Sequence, residues 1–364
     1  MDEITFMPKG KSEPCSVEGR FILGPDEPYN SVVFEGRDSR YYILPKSDVR
    51  KTSSDETPFT YFDKKEFRVQ LENEFPKRSG YSILETENFF VVYTTSRAFA
   101  DWYAKLLEKV FKDYLTFWKG KGLELKKPEY SLVAVVLSNR PMFFKYGAAE
   151  EVQVDEIMHA YYSKAANRIV ICDISGIETQ NEGDSKRATS RDIREFLNQP
   201  GAGKNIAAVV HEATHQLGFN TGMHPRYGNY PLWICEGIAV FHEVPDAKNR
   251  DGWTVTAKPN GYRLAYLRNY FNRNPQEPLQ TIIRSDAPLK DVKTGLNHYA
   301  VAWGLTYYLI MKRPKDFVRY LEKMSKKDFF SDDSPELRIE EFEEHFGKDW
   351  RKIEDECKAL WKKI

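Results

Sequence analysis

His211-Glu212-Ala213-Thr214-His215 is the stretch whose residue types and spacing could do chemistry, together with Glu236 twenty-one residues further on. On a helix, residues four apart lie on one face, one turn above each other. His211 and His215 could therefore each aim an imidazole nitrogen at one metal ion, at about 2.0–2.1 Å. Glu212 lies about 100° round the helix from the first histidine. It is too far round to share the metal comfortably and well placed to hold a water bound to it. This is the H-E-x-x-H signature of metal-assisted hydrolysis. A catalytic zinc takes three protein ligands and keeps one position open for water. Glu236, within Trp233-Ile234-Cys235-Glu236-Gly237-Ile238-Ala239, is the candidate third ligand.

The five-residue motif arises by chance in roughly one chain of this length in a hundred, so the elements that must carry it decide its meaning. Ile206, Val209, Val210, Ala213 and Leu217 fall at helical spacing and give the segment an apolar face. Asn205 can cap its start and Gly218 can end it. The pattern predicts a mostly buried helix with both histidines on its other side. After a turn-rich link from Phe219 to Pro231, Leu232 to Glu243 reads as a second helix, able to return antiparallel to the first. Gly237 and Ala239 are small and let two helices approach closely there. A glutamate inside so apolar a helix is unlike an ordinary solvated one.

At 364 residues the chain has room for two or three domains and a substantial core. Lys plus Arg equals Asp plus Glu at 54 each, so net charge gives no sign of a nucleic-acid or membrane-surface partner. Cys15, Cys172, Cys235 and Cys357 show neither metal-type nor disulfide-type spacing. The start, MDEITFMPKG, lacks the basic and apolar regions of a signal peptide; a chain trimmed to its mature start would look the same. The longest apolar stretch, Tyr299 to Met311, is too short and too polar to span a bilayer. The expectation is a soluble protein of unassigned compartment.

Residues 1–80 read as a small β-rich module, with strands at Val17 to Leu23, Ser31 to Glu35 and Tyr41 to Leu44. Residues 81–364 read as the main domain: a strand and helix part over 81–204, the site helices over 205–245, and a helical part over 246–364. Within it, Phe89 to Tyr93 and Tyr130 to Leu137 are strands, Ser96 caps a long amphipathic helix, and 160–172 is a hairpin or edge strand. Residues 176–204 read as a long surface loop that could serve as a lid or be passive surface. Its end, Gly201-Ala202-Gly203-Lys204, imitates part of a phosphate-binding loop but has Asn198 and Asn205 where that motif needs Gly and Ser or Thr. No nucleotide site is expected.

H-E-x-x-H followed by W-x-x-E-G-x-A resembles the gluzincin branch of zinc metallopeptidases, whose best-known fold is thermolysin-like. The sequence more closely resembles uncharacterised bacterial proteins of the peptidase MA-like group, usually described only as domains of unknown function. These share H-E-x-x-H-Q, N-x-G and P-x-W-x-x-E-G-x-A, here His211 to Gln216, Asn220 with Gly222, and Pro231 to Ala239. The resemblance implies an α+β fold: a thermolysin-like catalytic domain behind the β-rich start. It also implies Zn2+ on His211, His215 and Glu236, with Glu212 as general base. Two departures stand out. Thermolysin-like enzymes place an acidic residue four after the glutamate ligand, where this chain has Val240. Glu243, Asn220 or a backbone carbonyl must then orient the first histidine. The G-x-M-E-N motif of gluzincin aminopeptidases is absent.

The resembling proteins carry a Tyr at the start of the helix that here begins His298-Tyr299-Ala300, which makes Tyr299 the expected oxyanion donor, with His298 its neighbouring alternative. His224 and His242 are weaker alternatives. The expected partner is a peptide or protein substrate, its backbone pairing with the edge strand around Tyr161 to Ile171. The expected function is zinc-dependent peptide hydrolysis, as an endopeptidase on extended chains. A catalytically silent binding protein retaining the fold, and a zinc hydrolase of a non-peptide amide, remain alternatives.

Overall fold

The computed structural model describes residues 1–9, 12–173, 189–199, 201–244, 253, 258–274, 278–328 and 331–364. They fall into two compact units, Met1–Ala104 with Pro128–Ala188, and Lys105–Lys127 with Thr189–Ile364.

In the first unit, β1 (Asp2–Phe6), β2 (Cys15–Leu23), β3 (Ser31–Gly36), β4 (Tyr41–Pro45) and β5 (Val49–Ser54) form an antiparallel sheet in the order β4-β3-β2-β1-β5. Ile4 with Phe6, and Val32 with Phe34, are two apart, so each pair faces one way and together they make a small core. Strands were expected up to about residue 80, yet Lys64–Glu74 is a helix, α1. Its cause lies in a capping box: the Asp63 side chain accepts from the Lys65 and Glu66 backbone, and Glu66 returns the bond to the Asp63 N–H.

A second sheet joins β6 (Ser82–Glu85), β7 (Phe89–Tyr93), β8 (Leu132–Leu137), β9 (Ala160–Ser163) and β10 (Arg168–Cys172) in the order β6-β7-β8-β10-β9. The central strands β7, β8 and β10 run parallel and are buried at every residue, which is why they read as continuous apolar runs. The expected hairpin at 160–172 is β9 and β10, and β9 alone is the edge; β10 lies inside, paired with β8. One face of this sheet packs Phe90, Val92, Val135 and Val170 against Phe67 and Leu71 of α1 and Phe143 of α3 (Arg140–Ala149). The long helix expected after Ser96 is α2 (Arg97–Lys121). At the start of β10, the fully enclosed Arg168 holds Glu74 through two bonds of 2.6 and 2.7 Å, and Arg40 reaches the same carboxylate at 2.5 Å. Burial opposes ionisation of Glu74, but the two guanidiniums outweigh it and hold its carboxyl down to about 2.

The second unit is helical: α4 (Ser190–Leu197), α5 (Ala202–Asn220), α6 (Leu232–His242), α7 (Gly261–Arg273), α8 (Gln280–Arg284), α9 (Ala287–Lys290), α10 (Gly295–Lys312), α11 (Pro314–Met324), α12 (Pro335–Phe346) and α13 (Trp350–Lys363). Of the expected 176–204 loop, 176–188 and 200 lie outside the described residues, as does any lid there; 190–197 is α4, started by a Thr189–Asp192 capping box. Gly201 to Lys204 opens α5, so neither a loop nor a cap at Asn205 exists there. Asn205 is instead buried in the second turn of the helix. Nor does Gly218 end α5, which runs to Asn220. Its missing side chain makes room for His224, whose ring would lie 2.6 Å from a Cβ. The β-rich start and helical end agree with a mixed α+β chain. Among the described residues no helix is long and apolar enough to cross a membrane.

Candidate metal centre

Helix α5 presents its apolar side, Ile206, Val209, Val210, Ala213 and Leu217, to the interior and leaves His211, Glu212 and His215 half-buried. Helix α6 packs against both α5 and α10, and α10 packs against α7. The small residue at 237 serves the second of these contacts rather than the first. A Cβ on Gly237 would lie 2.1 Å from Thr306 Oγ1 and 2.8 Å from the Ala302 carbonyl oxygen, both on α10. That close approach fixes α6, and with it Glu236, against the helix that carries Tyr299.

The outcome is a triangle of donors. His211 Nε2 stands 3.1 Å from His215 Nε2 and 3.2 Å from Glu236 Oε2, and His215 Nε2 stands 3.4 Å from the same oxygen. Three ligands of one tetrahedral ion at about 2.0–2.1 Å would be spaced by about 3.3 Å. His211, His215 and Glu236 are the group whose ligand atoms could hold a metal ion among the described residues. Two imidazoles and one carboxylate form a donor set that fits a divalent first-row metal, zinc among them.

Electrostatics favour a cation at this point. Burial works against a charged His211, yet its hydrogen bonds to Glu236 and Glu243, with Glu212 nearby, push it up to about 10. Burial likewise opposes an ionised Glu236, but His215 and His211 pull its carboxyl well below the usual range.

Of the three proposed orienters of the first histidine, Glu243 meets it: its Oε2 accepts from His211 Nδ1 at 2.8 Å. Asn220 donates to the Gln216 carbonyl at 2.6 Å. The Glu243 position lies one turn beyond Val240, at the end of α6. Its other oxygen accepts from Asn260 Nδ2 at 3.0 Å and from Arg263 Nε at 3.2 Å. Asn260 also caps α7, accepting from the Arg263 backbone N–H. With Nδ1 held as donor to Glu243, Nε2 is the nitrogen that faces the donor triangle, and it is the one that would give up its proton to a metal ion. Sequence reasoning missed Asn260 and Arg263, which lie seventeen and twenty residues past Glu243 as lone polar residues without motif spacing.

Tyr299 joins the cluster. Burial first, then the charges of the nearby Glu236 and Glu212, raise its phenol well above the usual range; the Arg263 guanidinium, over its ring at 5.9 Å, pulls the other way. The phenol therefore stays protonated and can act as a donor. The neighbouring His298 faces Tyr270, whose hydroxyl lies 3.3 Å from His298 Nε2. His242 is enclosed by Tyr114, Phe117, Trp118 and Phe241, and burial pushes it down to about 3. His224 packs on Phe219 and Tyr230. All three are kept out of the triangle by these packing partners.

Fold and site together define a mixed α+β chain with a His-His-Glu cluster that could hold a metal. A family model described as a protein of unknown function (DUF1570) matches residues 205–331, the stretch that contains every residue of the cluster. No curated protein matches the chain at a significant level.

Proposed function

We propose that this chain is a zinc-dependent peptidase, with zinc on His211, His215 and Glu236. The observation that carries the reading is the donor triangle with edges of 3.1, 3.2 and 3.4 Å, beside a glutamate that belongs to none of its corners. Zinc, when bound, supplies Lewis acidity and an acidified water with a pKa near about 7.

The side chains supply the rest. Glu212 follows His211 directly and its charge reaches both His211 and Tyr299. It acts as general base, taking a proton from the attacking water and delivering it to the leaving amine. Tyr299, kept protonated by its surroundings, donates a hydrogen bond to the oxygen on which negative charge develops. Glu243 holds the His211 ring in one orientation and one tautomer. Peptide rather than another amide is favoured by the resemblance to the gluzincin branch.

The test is metal analysis of the purified protein with a peptide-library digest, with and without chelator. Stoichiometric zinc and chelator-sensitive cleavage are expected. Glu212→Gln should retain the zinc and lose about 10²–10⁴ of the rate. Zinc bound without cleavage of any peptide would leave a binding protein that keeps the site, and cleavage that persists in Glu212→Gln would remove that residue from its role.

A further inference from the structure

Arg263 lies in the first turn of α7 and is fixed on three sides. Its Nε donates to Glu243 Oε1 at 3.2 Å, and its guanidinium carbon lies 5.7 Å from the Tyr262 ring centre and 5.9 Å from that of Tyr299. The side chain is 14% exposed, so little rotamer freedom is left to lose. A guanidinium has five N–H donors. Glu243 uses the one on Nε; the four on Nη1 and Nη2 meet no hydrogen-bond partner among the described residues. A counter-ion for Glu243 needs only the first. The remaining edge is a planar fork, held rigid beside Tyr299, whose phenol feels the charge of Glu236 in the donor triangle.

From this geometry we infer that Arg263 binds the terminal carboxylate of the substrate, so that the site prefers chains whose carboxyl end lies close to the cleaved bond. This rests on the peptidase reading and narrows it, away from the interior cleavage expected from sequence. The fork matches two carboxylate oxygens at once, where a backbone carbonyl would use half of it. Charge points the same way. Glu212, Glu236 and Glu243 surround the centre with carboxylates, and an anionic substrate end needs a cation aimed at it to approach them. Arg263 offers that cation, already desolvated in part and oriented before binding.

The test separates binding from turnover. Zinc-loaded Glu212→Gln protein is titrated calorimetrically with N-acetyl-Ala-Phe-Ala as the free acid and as the carboxamide. The acid should bind about ten- to a hundredfold tighter, the range of one charge-assisted contact. In Glu212→Gln/Arg263→Met the preference should vanish, while Arg263→Lys should restore part of it through charge alone. A merely structural role for Arg263 would weaken both peptides alike. Equal affinity for acid and amide in the parent, including no measurable binding of either, overturns the inference. So does a preference that survives Arg263→Met. Hydrolysis by the wild type is scored separately: intact discrimination without any cleavage would sink the peptidase reading and leave the carboxylate fork standing.

Discussion

Replacing Glu243 by glutamine should weaken metal binding at a residue that never touches the metal. The carboxylate accepts on both oxygens, from His211 Nδ1 on one and from Asn260 and Arg263 on the other. Glutamine has a single acceptor oxygen and an NH2 group in place of the other. Turning the NH2 toward Asn260 and Arg263 would oppose two donors, one of them charged, so the oxygen stays on that side. The NH2 then faces His211 and favours the tautomer with the proton on Nε2, the nitrogen that belongs to the donor triangle. Loss of such an outer partner costs about 10–100-fold in affinity, or about 1.4–2.7 kcal/mol. Glu243→Ala should fall in that range, since water can accept from Nδ1. Glu243→Gln should be at least as weak as Glu243→Ala, although it is the more conservative change in shape. Competition titration of zinc against a chelating indicator measures both. A Glu243→Gln protein that binds zinc within twofold of wild type would refute the tautomer argument.

Three further outcomes are expected. Tyr299→Phe should retain zinc and lower kcat by about 10²–10³; steady-state kinetics showing an unchanged kcat would move the oxyanion donor elsewhere. Gly237→Ala should lower the melting temperature, because forcing a methyl against Thr306 and Ala302 costs about 1–3 kcal/mol, more than the roughly 0.5–1 kcal/mol gained in helix propensity; calorimetry finding an equal or higher Tm would contradict the close approach. Glu74→Gln leaves the enclosed Arg168 without its anion and should cost about 3–5 kcal/mol at neutral pH. Glu74 has a folded value of about 2 against an ordinary 4.5, so its stabilisation is full above the ordinary value and lost as pH falls from one to the other. Urea unfolding should therefore show the gap between wild type and Glu74→Gln narrowing over that window, and a gap independent of pH would be evidence against the ion pair.

The parts of the site legible in the sequence are those whose geometry is set by one helix. His211, Glu212 and His215 share α5, so the 3.6-residue repeat places them without knowledge of the fold. Glu236 was legible for a different reason: a carboxylate in the apolar run from Trp233 to Val240 needs a buried cation. Glu243 was readable only as one of several orienters, because the end of α6 had to be placed before its reach could be judged. Asn260 and Arg263 were illegible, since their role comes from how α7 docks on the Glu243 carboxylate. In the fold, the central strands β7 and β8 were plain as unbroken apolar runs. The strand β1 and the edge strand β5 were not: Asp2–Phe6 mixes charge with its apolar residues, and Val49–Ser54 is exposed along nearly its whole length. Helix α1 had a readable start in Asp63 and Glu66, which the strand-like texture around it outweighed.

Helix α6 has no solvent face, since every residue from Trp233 to His242 is buried. Glu236 is thus a formal charge in the middle of a core helix. A buried carboxylate deprived of a counter-charge costs several kcal/mol, so the place of α6 in the interior depends on what the two imidazoles bring to it. An ion that binds only the folded chain adds about 4 kcal/mol of stability at a thousandfold excess over its Kd. If the proposed metal binds, the resistance of the second unit to unfolding would become a gauge of free metal. Scarcity of the ion would register first as a shorter lifetime against proteolysis, before any change in turnover by the molecules that remain.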